Sequence, residues 1–261
     1  MASALAIERP DYGIDAPTVI RNLALAGGAA LVVAALTFLG VIPRHLHLGS
    51  SVTLAVLPSV LPAGIVLCAT ACWMYFGSKY GKIAERDKLV GRIEWKGSER
   101  VLDVGCGRGL ILVGAAKKLS TGSAVGVDIW QAEDLSGNRP EIPLKNAALE
   151  GVAGRVSVET ADMRRLPFPD GSFDVVLSRA VVHNLYSSAD RATAIREIAR
   201  VLKPGGRAVI TDIRHHDEYR EAFEKGGCEV RLLDSRLSSA LYALFTLGSL
   251  RPNTTLARKA G

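Results

Sequence analysis

An aspartate and three alternating glycines are the residues whose types and spacing suggest chemistry: Asp103, Gly105, Gly107 and Gly109. The apolar run at 101–104 predicts a buried parallel strand, and a helical apolar spacing follows at 110–119. Glycines let a backbone approach a ligand closely, and a helix N-terminus offers unpaired N–H groups. The strand, the glycine turn and the helix therefore predict a nucleotide-type site.

The position of the third glycine separates two kinds of nucleotide site. A dinucleotide fingerprint needs that glycine at position 110, for close packing of helix on strand beneath a pyrophosphate. Position 110 is Leu110, which disfavours a nicotinamide oxidoreductase, and the third glycine is Gly109. Asp128 ends a second predicted strand about twenty residues later, where a ribose diol needs an acceptor. The pattern D-x-G-x-G-x-G resembles motif I of the class I S-adenosylmethionine (SAM) methyltransferases.

Two further blocks make the resemblance more specific. Residues 161–176, A-D-M-R-R-L-P-F-P-D-G-S-F-D-V-V, are similar to the D-x-x-x-L-P-F-P-D-x-S-F-D-V-V block of the ubiquinone/menaquinone-type methyltransferases. Residues 197–206, E-I-A-R-V-L-K-P-G-G, resemble the E-x-x-R-V-L-K-P-G-G block of the same family. The three motifs together cover roughly residues 98–214. The resemblance implies SAM as the cofactor and a Rossmann-like class I methyltransferase sheet, mostly parallel, with helices on both faces.

The resemblance also implies roles for single residues. Gly105 and Gly107 would pass under the methionine portion of SAM, with Asp103 orienting that end. Asp128 would accept both ribose hydroxyls, while Asp162 would accept from the adenine amino group. An alternative for Asp162 is a helix cap or turn residue. The implied cofactor-binding set is Asp103, Gly105, Gly107, Gly109, Asp128, Ile129, Asp162, Met163 through its backbone N–H, and Ser178 on the pocket floor with Arg179 beside it.

His183 is the candidate catalytic residue, because it follows the fourth predicted strand, where an acceptor must meet the methyl group. Histidine titrates near neutral pH, which suits a general base. The alternative is a histidine that caps the next turn. His215 and His216 follow the next strand, but nothing fixes a three-histidine geometry, so no metal is expected. Second-rank candidates for shaping the acceptor pocket are Asn184, Tyr186 and Asp212.

The loop at 131–140 departs from the family pattern, since most members continue quickly into a helix there. Its serine, glycine, asparagine and proline predict a loop beside the ribose edge. Asp134, Ser136 and Asn138 are candidates for additional contacts to the cofactor or the acceptor. The alternative is a surface excursion.

Strands and helices alternate from residue 100 onward, which predicts a parallel sheet with ligands at the carboxyl ends of its strands. Predicted strands are 100–105, 124–128, 155–160, 173–178, 206–213, 229–234 and 243–250. Predicted helices lie near 109–120, 142–150, 188–202 and 216–226. The glycines of the K-P-G-G segment predict a turn between the third of these helices and the next strand.

The N-terminal third predicts a membrane hairpin. The mean hydropathy is +0.20, and residues 23–42 and 52–76 are uncharged runs long enough to cross a bilayer as helices. The predicted organisation is a hairpin at 1–77 with spans at about 19–42 and 52–76, a connector helix at 78–97, and a methyltransferase domain at 98–261. The alternatives are a pair of buried core helices or, for the first run, a signal peptide. Alanines at 26, 30 and 34 leave open a homodimer through the membrane helices, and Pro58 and Pro62 predict kinks in the second span.

Charge distribution orients the predicted hairpin and excludes other functions. Lys79, Lys82 and Arg86 follow the second run, whereas the loop between the runs holds only Arg44, which predicts cytoplasmic termini and a cytoplasmic catalytic domain in the cell membrane. The net charge of +6 is spread along the chain and aromatics are 6%, which disfavours nucleic acid as a partner. The four cysteines have no disulfide or zinc spacing.

The sequence therefore predicts a membrane-anchored SAM-dependent methyltransferase. Its predicted partners are the lipid bilayer and a small hydrophobic acceptor, such as a quinone-like molecule, a phenol, a lipid or a thiol. A catalytically inert SAM-binding sensor or assembly protein is the alternative, because fold does not dictate function.

Overall fold

The computed structural model describes residues 8–48, 52–131, 135–235, 240 and 250–261. The chain forms two compact units. The smaller comprises residues 13–82 and 131–137, and the larger comprises 1–12, 83–130 and 138–261. Each unit is described by itself.

The smaller unit contains two long helices joined by a β-hairpin. Helix α1 (Pro17–Phe38) leads to strands β1 (His45–Leu48) and β2 (Val52–Ala55), which pair antiparallel, and helix α2 (Val56–Phe76) follows directly. The predicted spans are wrong at the ends that face each other. The first predicted span ran to residue 42, but α1 ends at Phe38. The second predicted span began at residue 52, but residues 52–55 form strand β2, which pairs with β1 in the predicted loop between the spans. Pro62 lies inside α2.

Small residues let α1 and α2 approach closely. A β-carbon on Gly27 would lie 2.6 Å from Cys68 Sγ, and one on Gly64 would lie 3.1 Å from the Gly27 carbonyl oxygen. Of the three alanines at four-residue spacing, Ala34 is buried and Ala26 is exposed, and Gly27 faces α2. Glycine at such a contact is typical of closely packed apolar helices.

Among the residues that the structure describes, two helical segments are long and apolar enough to cross a membrane, judged by length and composition alone. They are Pro17–Phe38 and the continuous stretch Val56–Val90, whose apolar windows are 11% and 17% buried. Most apolar side chains of these windows therefore lie on the surface of the protein.

The continuous stretch includes a π-helical turn (Gly77–Gly81) and helix α3 (Lys82–Val90). The predicted connector helix at 78–97 is therefore wrong at its C-terminal end. Gly91 follows Val90 directly, and glycine favours helix termination.

The larger unit is a sheet with helices on both faces, as predicted. Its strands are β3 (Arg100–Val104), β4 (Ser123–Asp128), β5 (Val156–Thr160), β6 (Phe173–Arg179), β7 (Leu202–Asp212), β8 (Cys228–Leu232) and β9 (Asn253–Lys259). Its remaining helices are α4 (Leu110–Ala116), α5 (Glu141–Leu149), α6 (Ser188–Val201) and α7 (His216–Lys225). The described strands are ordered β5-β4-β3-β6-β7-β9-β8, and β9 alone among them runs in the direction opposite to the others.

Apolar layers cover the two faces of this sheet. On one face Ile195 and Ile198 of α6 pack with Phe223 of α7 against strands β3, β4, β6 and β7. On the other face the fully buried Leu112 of α4 packs with Leu89 of α3. Burial of the central strands on both faces explains their near-continuous apolar sequences.

The sheet differs from the predicted one at its C-terminal edge. The predicted strand at 243–250 lies outside the described residues apart from Leu250, which is not in a strand. The final strand is β9, whose N-T-T-L-A-R-K sequence lacks the apolar run that predicted the other central strands. The predicted start of β7 is also wrong, since Leu202 already pairs with Phe173. Residues 203–206 belong to β7 and do not form the predicted turn; the pairing with β6 shifts register there and resumes at Arg207.

Candidate functional site

The glycine turn after β3 has a backbone that other residues would strain. Gly105, Gly107 and Gly109 have φ values of +71°, +50° and +82°, all in the left-handed region that favours glycine. A β-carbon on Gly105 would lie 2.5 Å from Val181 Cγ2, and one on Gly109 would lie 2.8 Å from Pro143 Cβ. Glycine is therefore required at both positions by conformation and by space, and the turn can approach a ligand through its backbone.

Asp103 is a buried carboxylate whose pairing is incomplete. The residue is 1% exposed, and its Oδ2 has no hydrogen-bond partner among the described residues. Burial raises the pKa of Asp103 to about 7, opposed by the Leu112 backbone N–H and reinforced by the charge of Asp128. A buried carboxylate oxygen of this kind suits a ligand that brings its own positive charge or N–H donor.

Asp128 holds the ends of two neighbouring segments together at the carboxyl end of β4. Its Oδ2 accepts from the Gly107 backbone N–H at 2.8 Å, and its Oδ1 accepts from the Trp130 N–H at 2.7 Å. The side-chain amide of Asn138 donates to the same Oδ1 at 3.2 Å. These donors fix the carboxylate beside the glycine turn, as a ribose acceptor requires. Ile129, next in the chain, leaves an apolar side chain 50% exposed.

The loop at 131–140 contributes through Asn138, which is buried. Ser136 instead accepts from the Ile14 N–H at 3.0 Å within the smaller unit, and Asp134 lies outside the described residues. Sequence analysis did not single out Trp130, whose Nε1–H donates to Thr160 Oγ1 at 2.8 Å across the strand ends. The sequence signal for Trp130 is its position two residues after Asp128, which ends a strand.

Asp162 follows β5 and is engaged by Arg164. The Asp162 Oδ1 accepts from the Arg164 backbone N–H at 2.8 Å, and Oδ2 accepts from Arg164 Nη2 at 2.6 Å. Hydrogen bonds from Arg164 hold the pKa of Asp162 below its usual range. This is the arrangement of the alternative that sequence analysis kept open, a turn residue. Met163 is partly buried against the apolar layer.

Ser178 does not present its hydroxyl as a pocket floor, and that expectation is corrected. Its side chain is fully buried, because its Oγ donates to the Val104 carbonyl at 2.9 Å and so ties β6 to β3. Arg179, the next residue, donates to Glu85 Oε2 at 2.5 Å. Ser178 therefore positions the end of β3, from which the glycine turn departs.

His183 lies in a short 3-10 turn after β6 and is held by a buried carboxylate. Its Nδ1 is 2.5 Å from Asp212 Oδ1, and its backbone N–H donates to Asp212 Oδ2 at 3.1 Å. Tyr219 donates its hydroxyl to the same Oδ2 at 2.9 Å. The His183 side chain is 13% exposed and that of Asp212 is fully buried. With Nδ1–H donated to Asp212, Nε2 carries the lone pair that a general base needs.

Sequence analysis ranked Asp212 as a pocket residue and did not identify Tyr219. The structure makes Asp212 the partner of His183, and it places Tyr219 beneath both. Burial raises the pKa of Tyr219 well above its usual range, so the phenol stays protonated and donates. Tyr186, the other second-rank residue, is fully exposed.

The remaining histidines do not join His183 in a metal site. His215 pairs with Glu218 at 3.0 Å, while His216 is enclosed between Thr255 Oγ1 and the Asp212 carbonyl, both at 2.9 Å. Burial lowers the pKa of His216, which favours its neutral form. Within the described part of the chain, no group of three His, Cys, Asp or Glu side chains could hold a metal ion.

A short N-terminal segment, residues 8–12, contacts the glycine turn and was missed by sequence analysis. Asn146 of α5 accepts from the Asp11 N–H at 3.0 Å and donates to the carbonyl oxygens of Asp11 and Arg108, each at 2.9 Å. Arg108, inside the glycine turn, donates to Asp11 Oδ2 at 2.6 Å. Tyr12 is buried beside the Arg86–Glu150 ion pair. The segment has no hydrophobic periodicity, and its only sequence signal is its position before an apolar run.

The central motifs of the chain match one family model. Residues 102–210 match the family model of a methyltransferase domain. The chain is 36% identical over 126 residues to the 27-O-demethylrifamycin SV methyltransferase of Amycolatopsis mediterranei (strain S699), covering 48% of this chain and 43% of that protein. It is 35% identical over 124 residues to the ubiquinone/menaquinone biosynthesis C-methyltransferase UbiE of Geotalea daltonii, covering 47% and 49% respectively.

The matched part of the chain spans less than half the length of these two curated relatives. Among solved structures, the [4+2]-cyclase SpnF superposes with a TM-score of 0.53 at 21% identity, covering 68% of this chain and 80% of that one. At this identity the likeness shows a shared fold.

Proposed function

We propose that this chain, whose residues 102–210 match the family model of a methyltransferase domain, is a SAM-dependent methyltransferase that transfers a methyl group to a small-molecule acceptor. The observation that carries the proposal is the buried Asp103 carboxylate, with an unpartnered oxygen, directly before a turn of three left-handed glycines. A SAM ligand brings an ammonium group and a ribose diol, the complements of the buried Asp103 carboxylate and of the half-buried Asp128 carboxylate at the end of β4.

The residues present fit SAM. Asp103 would hold the amino group of the methionine portion, the glycine turn would pass beneath it, and Asp128 would accept the ribose hydroxyls. To accept a hydrogen bond from the adenine amino group, Asp162 would have to give up a hydrogen bond from Arg164. When bound, SAM supplies a methyl group on a sulfonium, which is a good leaving group. The protein's own task is to align the acceptor and exclude competing geometries.

His183 is proposed as the general base that removes a proton from the acceptor. Asp212 orients its ring, and Tyr219 in turn orients Asp212, so Nδ1 keeps the ring proton and Nε2 is the nitrogen that can accept one. Among the named relatives one is an O-methyltransferase by its name and the other a C-methyltransferase, and both reactions release a proton from the acceptor. A general base at this position serves either reaction.

Membrane anchoring through the smaller unit is part of the proposal. It is supported by two apolar helices of spanning length and by Lys79 and Lys82 after the second uncharged run. A cytoplasmic catalytic unit anchored in this way favours an acceptor with an apolar part that partitions into lipid. The proposal predicts that the full chain stays in the membrane fraction after an alkaline carbonate wash, and recovery in the supernatant would refute the anchor.

The test of activity is release of S-adenosylhomocysteine by the detergent-solubilised full chain with a panel of phenolic and quinol acceptors. We expect His183→Asn to lower kcat by about 10²-fold or more with unchanged SAM affinity, because only the base is removed. Asp128→Asn should weaken SAM binding instead. Glu159→Gln removes an exposed carboxylate of β5 and serves as the matched control.

The second candidate function is a SAM-binding sensor without catalysis. The fold neighbour SpnF is named a cyclase, which illustrates that this fold serves other reactions. SAM-dependent thermal stabilisation without S-adenosylhomocysteine release from any acceptor would favour the sensor. Absence of both would reject the two functions together.

A further inference from the structure

The C-terminal end of α2 and the π-helical turn after it carry exposed aromatic rings. Trp73, Phe76 and Tyr80 are 73%, 55% and 66% exposed, and the rings of Phe76 and Tyr80 stack with their centroids 6.0 Å apart. Lys79 Nζ lies 5.7 Å from the ring centroid of Tyr75 and 5.9 Å from that of Tyr80. We call residues 73–80 the aromatic collar. Aromatic rings and a lysine at the end of an uncharged helix are typical of the headgroup level of a membrane.

Helix α1 carries a charge at the level of the aromatic collar. Gly27 of α1 faces Cys68 of α2, and later residues of α1 face earlier residues of α2, so the two helices are antiparallel. Arg21 lies about one and a half turns before Gly27, and Trp73 lies about as far beyond Cys68. Arg21 is exposed, and it is the only charged residue of α1, which the structure describes in full. Two helices therefore change from apolar to interfacial side chains at one level.

The β-hairpin at the opposite end of the smaller unit has one apolar and one polar face. Its register pairs Leu46 with Leu54 and His47 with Thr53, and successive side chains of a strand point to opposite faces. Leu46 and Leu54 are 41% and 40% exposed, so other parts of the chain do not cover their face. On the other face His47 Nδ1 is 3.0 Å from Thr53 Oγ1. A segment with an exposed apolar face backed by a polar face suits the membrane interface.

The distance between the aromatic collar and the hairpin matches a bilayer. Helix α2 rises about 26 Å from Val56, which follows the hairpin, to Trp73. Helix α1 rises about 26 Å from Arg21 to its last residue, Phe38. The hydrocarbon core of a bilayer is about 30 Å thick. The two helices thus give the same spacing, and that spacing equals the hydrocarbon thickness to within about one helical turn.

We infer that two interfacial layers fix the depth of the smaller unit in a bilayer. The aromatic collar and Arg21 lie in one headgroup layer, and the face formed by Leu46 and Leu54 lies in the other. The inference rests on the proposed membrane anchoring and deepens it, because anchoring alone sets no depth. Lipid is the occupant of these surfaces rather than a second copy of the chain, since a protein partner requires no interfacial side chains at two levels one bilayer apart.

The test is quenching of tryptophan fluorescence by brominated lipid. The full chain is reconstituted into vesicles of phosphatidylcholine that is brominated either near the glycerol backbone or near the chain ends. Bromine quenches a tryptophan that it contacts, so the ratio of the two quenching values reports depth. Trp73→Phe removes the reporter of the collar. Trp95→Phe, which replaces a partly buried tryptophan of the larger unit, is the matched control.

We expect bromine near the glycerol backbone to quench the unsubstituted protein at least twofold more strongly than bromine near the chain ends. Trp73→Phe should lose most of that quenching, and Trp95→Phe should keep it. The hairpin is tested in the Trp73→Phe background with a new tryptophan on either face. Leu54→Trp should be quenched by the shallow bromine at least twofold more strongly than Thr53→Trp, because the register places the two positions on opposite faces.

Several results would overturn the inference while membrane anchoring stands, in a chain that resists the carbonate wash. They are equal quenching of Trp73 by both lipids, equal quenching of Leu54→Trp and Thr53→Trp, or a Trp73 that neither lipid quenches because a second copy covers it. Recovery of the chain in the supernatant would overturn the inference and the anchor together. Quenching needs no turnover, so a chain that shows the expected quenching but releases no S-adenosylhomocysteine would refute the methyltransferase function alone.

Discussion

Replacing Asp103 by asparagine is expected to stabilise the fold at alkaline pH. Burial raises the pKa of this carboxyl from 3.8 to about 7, so the folded protein holds a proton that the unfolded chain has already released at neutral pH. The free energy of unfolding therefore falls as pH rises from about 4 to about 7. An asparagine carries no charge to desolvate, so Asp103→Asn should lose that pH dependence.

The expected size follows from the shift. About three pKa units at about 1.4 kcal/mol each give roughly 4 kcal/mol of destabilisation in the unsubstituted protein, fully present above pH 7 and absent below pH 4. Asp103→Asn should therefore be about as stable as the unsubstituted protein at pH 4, and more stable by up to roughly 4 kcal/mol at pH 8. Stability given up at a functional residue is a common trade-off.

The assay is thermal unfolding of the full chain in detergent, followed by near-ultraviolet circular dichroism between pH 4 and pH 8. Glu159→Gln is the control, since removal of an exposed carboxylate should change stability by less than about 0.5 kcal/mol at any pH. Addition of SAM provides a second readout. It should raise the melting temperature of the unsubstituted protein at pH 8, and Asp103→Asn should lose most of that rise because its amide offers no charge to the ammonium group.

An Asp103→Asn variant that melts lower than the unsubstituted protein at pH 8 would refute the reasoning. So would a parallel loss of stability with pH in both proteins, because the carboxylate would then not be the group that titrates.

Three substitutions test the surroundings of the glycine turn by chemical denaturation of the full chain. Gly105→Ala should destabilise by about 1–3 kcal/mol, since a β-carbon there is 2.5 Å from Val181 Cγ2 and φ is +71°; an unchanged midpoint would contradict the contact. Asn146→Ala should lower the free energy of unfolding by about 1–3 kcal/mol and weaken SAM binding, because the Arg108 carbonyl and the N-terminal segment lose their shared partner. Normal SAM affinity would show that the segment does not position the turn. Tyr12→Phe should cost about 1 kcal/mol by removing one hydroxyl from a buried ionic cluster, and a gain in stability would contradict that role.

The sequence was most informative where several signals agreed. The central strands could be predicted because burial on both faces makes them apolar throughout, and the glycine turn because its left-handed backbone requires glycine. Asp103 was singled out by its place in the D-x-G-x-G-x-G motif and Asp128 by its place at a strand end, and their roles in cofactor binding stay predictions. Each of these features is set by local physics, so a single chain segment contains the whole signal.

The remainder depended on partners distant in the sequence. Strand β9 is polar because His216 and Thr211 supply hydrogen bonds to its threonines. The Asp212–Tyr219 pair and the N-terminal segment are joined to the site by tertiary contacts that no spacing encodes. Ser178 was misassigned for the same reason, since only the structure shows Val104 as its acceptor.

The contact between Gly105 and Val181 constrains how such an enzyme can be redesigned. Val181 occupies the volume that any residue larger than glycine would need at position 105 of the glycine turn. His183 follows two residues after Val181 in the same loop. Replacing the loop that carries His183 by the loop of a relative would thus displace the glycine turn, unless the residue at position 181 matched valine in shape.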